Sequence, residues 1–113
     1  MARLTLRIDL EGRGSIGPGK VRLLETIGQT GSIRSAASSL KMSYKRAWML
    51  VSDIEDIFGK RVLATETGGR AGGGAKLSPL GLSIIKQYRL AERKSASASQ
   101  GALAKLQKLA AQS

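Results

Sequence analysis

Residues 32–58 read SIRSAASSLKMSYKRAWMLVSDIEDIF, and this stretch decides the fold. Ser32 is an N-cap candidate. Ile33, Ala36, Ala37 and Leu40 then occupy i, i+3, i+4 and i+7, the spacing of a helix of about two turns. Its buried face is small, so another helix backbone can come close. Lys41-Met42 separates this helix from Ser43, the next N-cap candidate. A second helix follows to about Phe58, with Ala47, Trp48, Val51, Ile54 and Phe58 inward and Gly59 as its stop. Two helices joined by so tight a turn predict a helix-turn-helix, whose second helix projects into a DNA major groove about 12 Å wide.

Upstream, Pro18 suits the first position of a helix, where its missing N–H costs nothing. Val21, Leu23, Leu24 and Ile27 form that helix's stripe, and Thr30-Gly31 stops it. Residues 4–10 alternate, Leu4, Leu6, Ile8 and Leu10 against Thr5, Arg7 and Asp9, which predicts a half-buried strand. Downstream, residues 61–67 are strand-like, Gly68 to Gly74 holds five glycines, and Ala75-Lys76-Leu77 follows. Two strands around a loose glycine loop form a wing, and the strand at 4–10 is expected to join them as a third. Ser78-Pro79 starts another helix, with Leu80, Ile84, Tyr88 and Ala91 on one face. It is expected to reach at least Lys94, to weaken over the Ser/Ala-rich residues 95–101, and to resume as a stripe of Leu103, Leu106, Leu109 and Ala110. The expected division is a DNA-binding domain over 1–94 and a helical tail over 95–113. The fold class is mainly α with a small antiparallel β-sheet: a winged helix-turn-helix with a long C-terminal dimerisation helix.

The chain has 113 residues, enough for one domain and one small core. Nineteen Lys and Arg against eight Asp and Glu give a net charge of +11, which attracts polyanions. The absence of Cys and His removes disulfides, thiolate nucleophiles, imidazole bases and His/Cys metal sites. Asp53, Glu55, Asp56 and Glu66 form no evident catalytic pair, so no enzyme, no cofactor and no metal is expected. Residues 14–20 match GxxxxGK, yet Val21 replaces the magnesium-holding hydroxyl and Pro18 removes a cradling N–H, which argues against nucleotide binding. No apolar run spans a bilayer and Met1-Ala2-Arg3-Leu4-Thr5 has no signal-peptide core, so a cytoplasmic protein without membrane contact is expected.

The DNA-binding candidates are Ser32, Arg34, Ser35 and Lys41 of the first helix and its turn, and Ser43, Tyr44, Lys45, Arg46 and Met49 of the second. The wing adds Gly69, Arg70, Gly72, Gly73 and Lys76. Cations and hydroxyls meet phosphates or base edges, and glycines let backbone N–H groups approach phosphates. No acid falls between Ser32 and Met49. Trp48 lies on the apolar stripe with Val51, the pattern of core packing rather than base stacking. The apolar stripes place Leu80, Ile84, Ile85, Tyr88, Ala91, Leu103 and Leu106 at a homodimer interface, with fold-back of the last helix as the alternative; Tyr88 reads as interface or core.

Residues 31–37 (GSIRSAA), 42–48 (MSYKRAW) and 67–81 (TGGRAGGGAKLSPLG) resemble the DNA-binding domain of ModE-type molybdate-responsive regulators, and more distantly the LysR-type N-terminal domain. The resemblance covers about residues 3–92. It implies a winged helix that dimerises through the helix after the wing and binds a palindromic operator on double-stranded DNA, with the Ser43 to Arg46 turn in the major groove and the two reading helices about 34 Å apart. ModE regulators sense molybdate with C-terminal β domains, whereas this sequence runs into a helical tail, so molybdate is not expected to bind in cis. Lys41 stands in the turn where a glycine is common; either it accepts left-handed torsions or the turn differs. The expected function is sequence-specific transcriptional regulation. A nucleoid-type binder of low specificity and a protein-interaction adaptor on the same fold are the alternatives.

Overall fold

The computed structural model describes residues 1–65 and 74–112. In chain order, β1 (Ile8–Leu10) and β2 (Gly14–Ile16) form a hairpin. Helices α1 (Pro18–Thr30), α2 (Ile33–Ser39) and α3 (Tyr44–Phe58) follow. A second hairpin of β3 (Leu63–Thr65) and β4 (Ala75–Leu77) then leads into α4 (Pro79–Ala111). This is a winged helix-turn-helix with a long C-terminal helix, as the pattern of apolar residues requires.

The core sits around α1, which packs against α2, α3, α4 and β4. Val21, Leu23, Leu24 and Ile27 from α1 meet Val51 and Ile54 from α3 and Val62 before β3, all essentially inaccessible to solvent. Pro18 opens α1, and Gly31, at φ 73°, closes it by donating its N–H to the Ile27 carbonyl at 2.8 Å.

The N-terminal strand does not join the wing. β1 pairs antiparallel with β2, Ile8 opposite Ile16, and among the described residues the wing strands pair with each other alone, Leu63 opposite Leu77. The physical reason is local. Gly12, at φ 72°, forms a three-residue reversal that brings residues 14–16 back beside 8–10, so the nearest edge in sequence is taken first. Inward and outward positions nonetheless alternate through residues 2–10, as the period-2 pattern predicts. The Tyr88 hydroxyl ties this arm to α4 by donating to the Leu6 carbonyl at 2.6 Å. Burial, then the nearby Glu92 carboxylate, push the Tyr88 phenol above its usual pKa.

The expected weakening at 95–101 does not occur. α4 runs without interruption for 33 residues, about 50 Å. Alanine is the best helix former, serine is tolerated, and Ser99 Oγ satisfies itself by donating to the Ser95 carbonyl at 2.6 Å. The first half of α4 lies on the body. Ile84, read as an interface residue, and Tyr88, read as interface or core, turn into this chain's own core at 7% and 2% exposure. Arg89 anchors the helix to α1 through a two-pronged contact with Glu25 (2.7 and 3.0 Å) and also reaches Glu92 (2.8 Å). These two carboxylates hold its guanidinium more firmly protonated than usual.

Gly81 makes the junction of α4 with the wing possible, because a Cβ there would lie 2.5 Å from the Val62 carbonyl oxygen. Gly81→Ala should lower stability by about 2–3 kcal/mol in denaturant unfolding. Gly101→Ala, in open space on the same helix, should raise it by up to about 1 kcal/mol. Equal effects of the two substitutions would contradict this packing.

Candidate nucleic-acid interface

Two serine caps build the site. Ser32 Oγ accepts the Ser35 N–H at 3.1 Å and starts α2; Ser43 Oγ accepts the Arg46 N–H at 3.0 Å and starts α3. Between them Lys41 adopts φ 58°, the only described non-glycine residue with positive φ. This settles the alternative left by the sequence: Lys41 takes the left-handed torsions itself. The Met42 N–H donates to the Ala37 carbonyl at 3.0 Å and closes the turn. Ala36, Ala37 and Ala47 are buried at 0%, 2% and 0% exposure, so α2 and α3 meet on methyl groups and approach closely.

With Ala47, Val51 and Ile54 inward, the period of about 3.6 residues places Lys45 and Met49 at the outermost line of α3, Tyr44 and Trp48 on one flank, and Arg46 and Leu50 on the other. Ser43, Tyr44, Lys45, Arg46 and Met49 are all exposed. Arg34, Ser35 and Lys41 are exposed beside them, Ser32 is half-buried, and Lys76 is exposed on β4. Gly69, Arg70, Gly72 and Gly73 lie outside the described residues.

Trp48 corrects the sequence reading. It is not in the core but 37% exposed. The inward line passes through Ala47 instead, and Ile57 takes the buried place at the helix end while Phe58 is half-buried. One residue round from the buried Ala47, Trp48 sits at the edge of the core, partly covered and partly open to solvent. Its ring meets Tyr44 edge-on at 6.4 Å, and the Arg34 guanidinium lies over the Tyr44 ring at 4.3 Å.

Arg46 faces a groove that sequence reasoning missed, of about 340 Å³, lined also by Arg7, Pro18, Lys20, Met42 and Leu50. α1 begins there at Gly17 with no side-chain cap, and Arg46 and Lys20, whose Nζ donates to the Ser15 carbonyl at 3.0 Å, line the same groove beside Arg7, which is paired with Asp9. An uncapped helix start with two cations that have no carboxylate partner among the described residues attracts anions. The signal was present in the GxxxxGK segment, whose glycines and Lys20 share the chemistry of a phosphate loop without its nucleotide. Among the described residues the ion pairs are Arg7–Asp9, Arg89–Glu25 and Arg89–Glu92. Arg34, Lys41, Lys45 and Arg46 therefore face solvent without a carboxylate partner among the described residues.

Comparison with known proteins matches residues 19–82 to the family described as bacterial regulatory helix-turn-helix protein, lysR family. The chain is 40% identical over 72 residues to the molybdenum transport protein ModE of Herbaspirillum seropedicae, covering 64% of this chain and 27% of that protein. It is 42% identical over 82 residues to the molybdenum-pterin-binding protein MopB of Rhodobacter capsulatus, covering 72% and 30%. To the transcriptional regulator ModE of Haemophilus influenzae it is 39% identical over 90 residues, covering 80% and 35%. The chain thus spans about a third of the length of the curated relatives it matches. Among the described residues no helix is long and apolar enough to cross a membrane.

Two substitutions test the local construction. Ser43→Ala should cost about 1 kcal/mol by removing the α3 cap. Lys41→Gly should raise stability by about 0.5–1 kcal/mol by relieving left-handed strain. Thermal unfolding that moved in the same direction for both would contradict the turn geometry.

Proposed function

The chain belongs to the bacterial regulatory helix-turn-helix proteins of the lysR family, and we propose that it is a ModE-like, sequence-specific transcriptional regulator that binds a palindromic operator as a homodimer. The observation that carries this reading is the first turn of α3, which stands out from the body with Lys45, Arg46 and the Ser43 and Tyr44 hydroxyls exposed and no acid from Ser32 to Met49. In this reading Lys45 and Met49 face base edges, Arg46 with Lys20 and the start of α1 holds a phosphate, and Lys76, with Gly69, Arg70, Gly72 and Gly73 of the wing loop, meets the backbone beside them. The 113 residues carry out no chemical step, work in the cytoplasm, and bind DNA rather than molybdate.

The dimer reading draws support from α4. A groove of about 400 Å³ lined by Ile8, Leu10, Ile16, Phe58, Leu80 and Ala91 opens along its first half. The same helical line continues through Ala98 and Ala102 to Leu106 and Leu109, which are 60% and 63% exposed. Antiparallel pairing of two copies of α4 lays the leucine half of one on the groove of the other, a self-complementary arrangement. Ile85 sits beside this line; Leu103 shares a different groove with residues 1–4 and contributes less.

Fluorescence anisotropy with a duplex selected from random sequence tests the reading. Affinity should fall about 10³-fold from 50 to 200 mM salt, the response to releasing about six phosphate counterions. Arg46→Ala should weaken binding by about tenfold. Equal affinity for selected and bulk DNA would point to the nucleoid-type binder, and absence of binding to the adaptor. Leu106→Glu, at an exposed position, should leave the fold intact and convert a sedimenting dimer to monomer; a native protein that sediments as a monomer at micromolar concentration would contradict the dimer.

A further inference from the structure

We infer that Trp48 is a specificity-determining residue whose indole meets thymine C5-methyl groups in the major groove. This rests on the regulator reading above and deepens it. Trp48 is the only tryptophan of the chain, and more than a third of it is exposed. Four apolar residues, Ala47, Val51, Ile54 and Ile57, form the buried line of α3, and Trp48 stands outside it, partly covered and partly open to solvent. An apolar surface of that size on a helix flank is an unfavourable feature for water and a favourable one for an apolar partner.

Its surroundings say what that partner is. Trp48 lies one turn beyond Tyr44, on the flank of α3 next to the Lys45 and Met49 line. Its ring is fixed by the edge-on contact with Tyr44 (6.4 Å, 86° between planes), and Tyr44 is in turn held under the Arg34 guanidinium of α2 (4.3 Å). The pair is therefore set before any ligand arrives, so little ordering cost remains on binding. Arg34 and Lys45 stand beside the pair, and from Ser32 to Met49 the sequence holds no acid, which selects a polyanion. On a duplex, the apolar group presented at a base edge in the major groove is the thymine C5-methyl, and a part-exposed indole on the flank of a reading helix is matched to it. Lys45 and Arg46 act on phosphates and polar base edges, where affinity is set; Trp48 acts where a methyl distinguishes thymine from cytosine and uracil.

Selected operator duplexes in which each thymine is replaced singly by deoxyuridine provide the test. At one or more thymines of each half-site, loss of the methyl should weaken native binding about fourfold, the value of one buried methyl-sized group. Trp48→Gln should abolish that penalty while retaining salt-dependent binding, and Trp48→Phe should keep part of it, with circular dichroism confirming that both variants fold. A penalty of the same size in Trp48→Gln, or no methyl-sensitive thymine at all, would overturn the inference and leave the regulator reading standing. Failure of the native protein to bind any selected duplex would overturn both. Native protein gives an independent readout, since all tryptophan emission comes from Trp48: acrylamide quenching should fall several-fold on binding operator, and unchanged quenching would overturn the assignment.

Discussion

The close approach of α2 and α3 on three alanine methyls is the constraint from which the rest of the structure follows. Ala36, Ala37 and Ala47 leave no thickness between the two helices, so α3 can bury its Val51, Ile54 and Ile57 end in the α1 core while its first turn stands outside. A leucine at any of the three positions would push α3 outward and tilt that turn. The two serine caps and the left-handed Lys41 let the chain stop one helix and begin the next within a few residues, which keeps the first turn of α3 rigid. Rigidity there matters because contacts to phosphates and base edges depend on distances of about 3 Å.

α4 gives the second level of organisation. Gly81 brings it against the Val62 backbone, the Arg89 guanidinium locks it to Glu25 of α1, and the Tyr88 hydroxyl draws in the N-terminal arm at Leu6. These contacts occupy the first half of the helix, while the second half extends past the body with residues 1–4 alongside it, and the molecule measures 59 Å along its long axis against 29 and 20 Å. The helix that proposes a dimer is thereby fixed relative to the helix that proposes a DNA contact, through α1, with no hinge in the continuous backbone of α4.

Much of this was legible in the sequence because its signals are local. Ser32, Ser43 and Ser78 as caps, Pro18 and Pro79 as first-turn residues, and Gly31 and Gly59 as stops all sit where the structure uses them. The parts that were not legible depend on tertiary context. β2 is three residues long with Ile16 as its sole large apolar side chain, too little to register as alternation. The Ser/Ala tract of α4 resembles a linker by composition, yet it holds no proline, and its Gly101 stays in the helix without the positive φ that stops α1 at Gly31 and α3 at Gly59. Trp48 was assigned inward by its place on the apolar stripe with Val51, when the buried line runs through Ala47 and leaves Trp48 on its edge. The Arg46 groove joins residues from β2, α1 and α3, and no spacing within a single element could have disclosed it.

The central claim is that the cationic first turn of α3 is the surface that engages duplex DNA. Amide-resolved NMR spectra of the uniformly labelled protein, recorded while a selected operator duplex is added, test it most directly. The account predicts the largest shifts at Ser32 to Ser35 and Ser43 to Met49, with Asp53 and Asp56 at the far end of the same helix nearly unmoved. Shifts concentrated at Asp53 and Asp56 or on the outer half of α4, with the first turn of α3 unperturbed, would contradict it.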